Sequence, residues 1–240
     1  MATSADRMAA GAGFGALAKA DELKKRLWFT VGALIIYRLG TYLPLPGIDP
    51  GALADIFSQQ SSGILGMFDM FSGGALGRMT IFALNIMPYI TASIIMQLMT
   101  AVVPSLETLK KDGEAGRKMI NQYTRYLTVL LATVQGYGMA VGLEAASGVV
   151  NDPGLFFRVT TVVTLVGGTL FLMWLGEQIT SRGVGNGISL IIFAGIVANL
   201  PTALAGTLEL GRTGALSSLL IVLLLAMAVT VVAFIVFIER

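Results

Sequence analysis

The sequence predicts an all-α polytopic membrane protein, with six transmembrane helices, a short re-entrant helix, and both ends on the same side of the bilayer. Three observations lead there. Apolar residues make up 55% of the 240 positions and charged residues only 12%, with a mean hydropathy of +0.79, far from the composition of a soluble domain. The apolar runs are continuous and about twenty residues long, as a helix needs to cross a hydrocarbon core of about 30 Å. A barrel would need ten-residue segments of alternating polarity. Finally, twelve of the sixteen Lys and Arg residues fall on the N-terminal side of these runs, and only Arg38, Arg78, Arg158 and Arg212 on the other. That asymmetry sets the ends in the cytoplasm. The acidic residues divide more evenly, eight against six, so the basic excess reports topology and not nucleic-acid binding.

Each element follows in order. Residues 1–26 lack the compact apolar core and cleavage pattern of a signal peptide and form a cytoplasmic or interfacial segment. The first span, 27–43, is preceded by Lys24, Lys25 and Arg26 and stopped by PLPG. Arg38, near its far end, can snorkel to headgroups. Next comes half a segment. Residues 64–73 are apolar enough to leave water, yet as a helix they reach about 15 Å, half of the hydrocarbon core, and Gly73-Gly74 interrupts them. Such a stretch is re-entrant or interfacial and requires shelter inside the protein. The second span covers 75–103, with Asn85 and Pro88 near its start, and a hydrophilic loop over 104–125 faces the cytoplasm. The remaining spans are 126–143, 159–175, 188–205 and 219–238.

The chain has no cysteine and no histidine, which removes disulfides, thiolate nucleophiles, most transition-metal sites and the usual general base. An enzyme is not expected. Ile86 and Ile90 lie four residues apart, and Ile188 and Ile192 repeat the interval, so each pair points from one helix face. Spacing alone favours ordinary packing or lipid contact over a functional role, since apolar pairs at this interval fill every transmembrane helix, and it does not settle the choice. Asn85 and Pro88 in the second span, and Gln135 with Gly136, Gly138 and Gly142 in the third, read first as helix–helix contacts. The glycine-rich GVGNG at 183–187 lacks a P-loop lysine and follows a helix, which argues against nucleotide binding. Apart from Asp69, the carboxylates sit at span ends or in loops. That weakens the alternative reading, half of an inverted-repeat secondary transporter sensitive to Asp69 or Glu177.

Several stretches together resemble one family, SecY, the channel subunit of the general protein-secretion translocon: YLPLPGID at 42–49, MFSGGALGR at 70–78, IFALNIMPYITASIIMQLM at 81–99, KKDGEAGRKMINQYTRY at 110–126, and FLMWLGEQITSRGVGNGISLIIFAGIVANLP at 171–201. The resemblance covers the chain from about residue 20 onward and looks bacterial. It implies a non-enzymatic, protein-conducting channel of the cytoplasmic (inner) membrane, without cofactor or metal, which secretes unfolded preproteins and inserts membrane proteins. It places Ile86, Ile90, Ile188 and Ile192 in an aliphatic pore ring. It makes residues 63–74 a plug, carried by Ile64, Leu65, Met67, Phe68, Asp69, Met70, Phe71, Gly73 and Gly74. Thr91, Ser93 and Gln135 then belong to one side of a lateral gate. Implied partners are the SecE and SecG subunits, the SecA motor or the ribosome, signal-sequence-bearing preproteins and membrane lipid. The family's residue at the position of Asn85 is often small, and the resemblance implies that Asn85 loosens the packing around the ring or plug. Members have ten spans, so residues 27–205 correspond to a five-helix half and 206–240 to the first helix of a second. The chain is expected to be a fragment of a longer gene.

Overall fold

A computed structural model describes residues 21–60, 66, 69, 72–146, 148–213 and 217–239. Among these residues the elements are helices α1 (Asp21–Gly40), α2 (Pro50–Gln60), α3 (Met87–Val102), α4 (Pro104–Lys111), α5 (Glu114–Ala145), α6 (Leu155–Arg182), α7 (Gly187–Val197), α8 (Leu200–Arg212) and α9 (Ser218–Glu239). Pairing between extended segments is limited to two isolated antiparallel bridges, Pro44 with Thr80 and Ile48 with Val150. The expected segment 1–20 lies outside the described residues. The chain forms two compact units, Met1–Ile196 and Val197–Arg240.

Four stretches are long and apolar enough to cross a membrane: Glu114–Ala145, Leu155–Arg182, Gly187–Arg212 and Leu220–Ile238. A fifth is the pair α3 and α4, bent by 99° at their junction. The bend has a local cause. Pro104 opens α4 and cannot donate its missing N–H, and it holds Val103 in an extended conformation with φ −96° and ψ 114°. The expected hydrophilic loop at 104–125 is therefore largely helical: α4, a turn at Gly113 (φ 72°), and the first three turns of α5. At 32 residues, α5 is about 48 Å long, some 18 Å more than a hydrocarbon core. Its polar first third, Glu114 to Arg125, is the excess.

The second predicted span is shorter than read from the sequence. Residues 73–86 are a chain of turns, and the helix begins only at Met87. Two non-glycine residues take left-handed backbone there, Met79 (φ 43°) and Asn85 (φ 50°). Pro88 occupies the first helical turn, where its missing N–H costs nothing, so it starts a helix instead of interrupting one.

In the first unit α3 and α6 pack against α5, and α1 packs against α6. One buried apolar cluster includes Leu45, Leu53, Leu76, Leu84, Ala140, Val149 and Leu165. The bridges brace its rim: Leu45 N–H donates to Met79 O (2.9 Å), and Asp49 N–H to Val149 O (2.8 Å). Of the third-span glycines, only Gly136 is closely packed, its Cα facing Leu165 and Val162, whereas Gly138 and Gly142 face open space. Among the described residues the expected close-packing face of the third span makes its contact at Gly136. Threonines within α5 and α6 return their hydroxyls to the preceding turn, as in Thr128 Oγ1 to Thr124 O (2.7 Å) and Thr164 Oγ1 to Thr160 O (2.7 Å). This satisfies them without water. In the second unit α8 and α9 pack together at Gly211, where a Cβ would collide with Ile221.

Candidate functional site

The second apolar cluster of the first unit contains all four isoleucines of the predicted ring. Ile86 caps the start of α3 (φ −96°, ψ 5°) and its carbonyl accepts the N–H groups of Tyr89 and Ile90, both at 3.1 Å. It has no exposed surface and belongs to the same cluster as Tyr37 of α1, Leu175 and Ile179 of α6 and Ile191 of α7. Ile90, Ile188 and Ile192 are half-buried at the cluster's margin. Three of the four therefore keep surface to offer, and Ile86 is packed behind them.

The glycine-rich 183–187 segment explains how Ile188 and Ile192 reach this cluster. After α6 ends at Arg182, Gly183 N–H donates to Ile179 O (2.7 Å) and Gly185 takes φ 76°. The Asn186 carboxamide oxygen accepts the N–H groups of Ile188 (3.1 Å) and Ser189 (3.4 Å), capping α7. Gly187 lies directly against the α6 backbone, and a Cβ there would collide with Gly176 O. Thr180 Oγ1 accepts Gly187 N–H at 2.9 Å, and Thr30 Oγ1 accepts Val184 N–H at 3.1 Å. The segment is a tight helix-to-helix turn that folds α7 back onto α6.

Of the expected plug residues, Ile64, Leu65, Met67, Phe68, Met70 and Phe71 lie outside the described residues. Asp69, Gly73 and Gly74 are described. Asp69 Oδ1 accepts Gly77 N–H (2.6 Å) and Ser72 Oγ–H (3.2 Å), and its carbonyl accepts Gly74 N–H (3.0 Å). Gly73 (φ 67°) and Gly74 (φ 82°) are left-handed. A Cβ on Gly73 would stand 3.1 Å from Gly195 Cα of α7, so this turn abuts the helix that carries Ile188 and Ile192. Arg38, expected among headgroups, instead donates from Nη1 to Gly73 O at 2.8 Å. Arg78 donates from Nη2 to the same oxygen (3.1 Å) and from Nε to Gly74 O (3.0 Å).

Thr91 is exposed on α3 and donates to Met87 O (3.0 Å). Ser93 accepts from Gln97 Nε2 (3.4 Å) and lines a cavity of about 180 Å³ with Gln97, Lys110, Arg117 and Asn121. Gln135 is exposed on α5 and does not line that cavity. Glu177 does not face a solute site, since it binds Arg125 through both oxygens at 2.6 and 3.1 Å. Sequence reasoning missed this pair and the roles of Arg38 and Arg78. The unmatched arginines beside Gly73-Gly74 were the available signal. Asn85 differs from expectation too: it is buried and left-handed, and its N–H donates to Phe82 O at 2.8 Å. Its left-handed backbone is one that glycine and asparagine adopt more readily than other residues.

Two solved structures have this fold. Sec61 in the canine ribosome-channel complex from the endoplasmic reticulum matches with a TM-score of 0.54 at 21% identity, over 72% of this chain and 36% of that one. A SecY structure described through its plug domain matches with a TM-score of 0.51 at 21% identity, over 79% of this chain and 37% of that one. The molecule is thus a polytopic helical membrane protein with the fold of protein-conducting channels. The SecY family model matches residues 80–240. The "Protein translocase subunit SecY" of Buchnera aphidicola subsp. Acyrthosiphon kondoi is 58% identical over 222 residues, covering 91% of this chain and 62% of that protein. Its counterpart in Escherichia coli strain K12 is 56% identical, covering 91% of this chain and 50% of that protein. The chain belongs to the SecY family, and it spans half to three-fifths of the length of these relatives.

Proposed function

We propose that this chain forms part of a protein-conducting channel subunit in a bacterial cytoplasmic membrane, through which unfolded preproteins cross and from which membrane segments leave for lipid. The observation that carries the proposal is the gathering of Ile86, Ile90, Ile188 and Ile192 into one apolar cluster beside the Gly73 turn, in a chain of the SecY family. An aliphatic constriction offers no fixed hydrogen-bond donors to hold a passing chain, and it dewets against ions. The role is conduction and not catalysis, driven by a partner: SecE and SecG as companion subunits, and SecA or the ribosome as the source of the polypeptide. Residues 63–74 act as the plug, and Thr91, Ser93 and Gln135 belong to the lateral gate. Residues 1–26, 27–205 and 206–240 are the cytoplasmic lead, the first half of the channel and the opening helix of the second. Both Asp69 and Glu177 are bound within the protein, which leaves the transporter alternative without a free mid-membrane carboxylate among those two.

Ile90→Asn in the complete channel, reconstituted in vesicles, tests the seal. A ring predicts ion leakage from the idle channel at an unchanged membrane level of the protein. Retention of a tight seal would speak for a scaffold that conducts nothing.

A further inference from the structure

We propose that the groove between the outer halves of α5 and α6 binds one membrane phospholipid, with an acyl chain along its valines and the phosphodiester on Arg158 and Tyr137. The sign of the flanking charges puts the end of α5 and the start of α6 on the outer side of the membrane. The two helices touch at Gly136, where an added Cβ would stand 3.7 Å from Val162 Cα. Beside this contact lies a cavity of about 430 Å³, lined by Val134 and Tyr137 of α5 and by Arg158, Val159, Val162 and Val163 of α6, in the size range of small-molecule sites. Its polarity is graded. Tyr137 and Arg158 stand toward the outer end, and over the roughly 7.5 Å of helix from Arg158 to Val163 the α6 wall is mostly valine. Thr133, also on the wall, returns its hydroxyl to Val129 O at 2.8 Å, which leaves the deep part apolar. Val134, Val159 and Val163 are 63%, 52% and 65% exposed, so in a bilayer hydrocarbon has to fill this face. Helical valine holds one side-chain rotamer strongly, and the groove keeps its shape.

Arg158 is fixed at the mouth of the groove. Its Nε donates to Glu144 Oε2 at 2.7 Å, and its Nη2 lies 2.6 Å from the same oxygen. Glu144 Oε1 accepts Gly154 N–H at 2.9 Å. The carboxylate side chain keeps 8% of its surface and the arginine 37%, so the acid sits behind and the guanidinium in front. Arginine carries five N–H donors, of which Glu144 engages those on two nitrogens, and the rest stay available. Tyr137 lies beside Arg158 on the same wall, and its hydroxyl can accept from the guanidinium and donate outward. A guanidinium and a phosphodiester match as paired donors and acceptors. An apolar partner helix in this groove would leave those donors unanswered. The Arg158–Glu144 pair is neutral as a whole, so the phosphate is recognised by hydrogen-bond donors and not by net charge. A headgroup that carries its own ammonium, as in phosphatidylethanolamine, keeps the occupied site neutral.

The test places the complete channel, with its companion subunits, in phosphatidylethanolamine vesicles. These carry a trace of phosphatidylethanolamine with a diazirine in one acyl chain, or of the matching diacylglycerol, and the labelled residues are mapped after irradiation. The site predicts labelling of 134–137 and 158–163 that is on the order of tenfold stronger with the phospholipid, as expected when charge-assisted hydrogen bonds distinguish the two probes. Val159→Trp fills the groove without touching the ion pair and should reduce labelling at Val134 by a similar factor. Glu144→Gln combined with Arg158→Gln removes both charges, so that neither is stranded, and should bring the phospholipid signal down to the diacylglycerol level. Equal labelling of the parent protein by the two probes overturns the proposal and makes the groove an ordinary face on bulk lipid. Absence of labelling by either probe, with a photoreactive residue at 134 crosslinking to another subunit, overturns it in favour of a protein interface. Should the double variant fail to assemble, the probe comparison on the parent protein and Val159→Trp decide the question.

Discussion

Asn85 shows how one residue's backbone state outweighs its side-chain chemistry. Its φ of 50° reverses the chain just before α3, so that Ile86 enters the cluster as the helix's first capping residue. A side chain with a branched Cβ in that conformation costs on the order of 1–2 kcal/mol, whereas glycine has no such penalty. Asn85→Gly should therefore leave thermal stability in detergent unchanged or raise it, and Asn85→Val should lower it by about that amount. Equal melting temperatures for the two would contradict the turn. Asn85 was legible as a residue out of place in a hydrocarbon span, but its left-handed backbone was not. A sequence shows an amide among apolar neighbours, and it does not show that the span's first twelve residues precede the helix.

At the scale of elements, long uniform helices were the most legible feature. Spans read at 126–143 and 159–175 are the cores of α5 and α6, because unbroken apolar runs of bilayer length leave a chain few alternatives. Their ends were not legible. Both helices continue into polar sequence, and there Arg125 of α5 meets Glu177 of α6 at 2.6 Å, a pairing 52 residues apart that no local pattern announces. The two side chains keep 49% and 32% of their surface, so solvent screens them, and a double-mutant cycle with alanine should give a coupling of about 1 kcal/mol or less. A much larger coupling would mean a dry, load-sharing pair. The α6–α7 turn makes the opposite prediction. Because Gly187 lies against Gly176 O, Gly187→Val must push α7 off α6. With Ile188 and Ile192 in the proposed pore ring, it should abolish the seal, seen as leak or as loss of the assembled protein. A sealed, normally abundant variant would contradict the close approach.

For the whole molecule, the sequence's repeated isoleucine interval acquires meaning only through the fold. Spacing alone could not separate ring from packing, and the three-dimensional arrangement brings two isoleucine pairs about a hundred positions apart into one cluster next to the Gly73 turn. The central claim is that this cluster faces translocating polypeptide. The most direct measurement places single cysteines at Ile90 and Ile188 in the cysteine-free chain, within the complete channel. An exposed control goes at Val134, and a secretory precursor carrying a thiol-reactive probe is stalled in transit. The account predicts crosslinks from both isoleucine positions and none from Val134. A channel that still translocates precursor, yet yields no crosslink at Ile90 or Ile188, would contradict it.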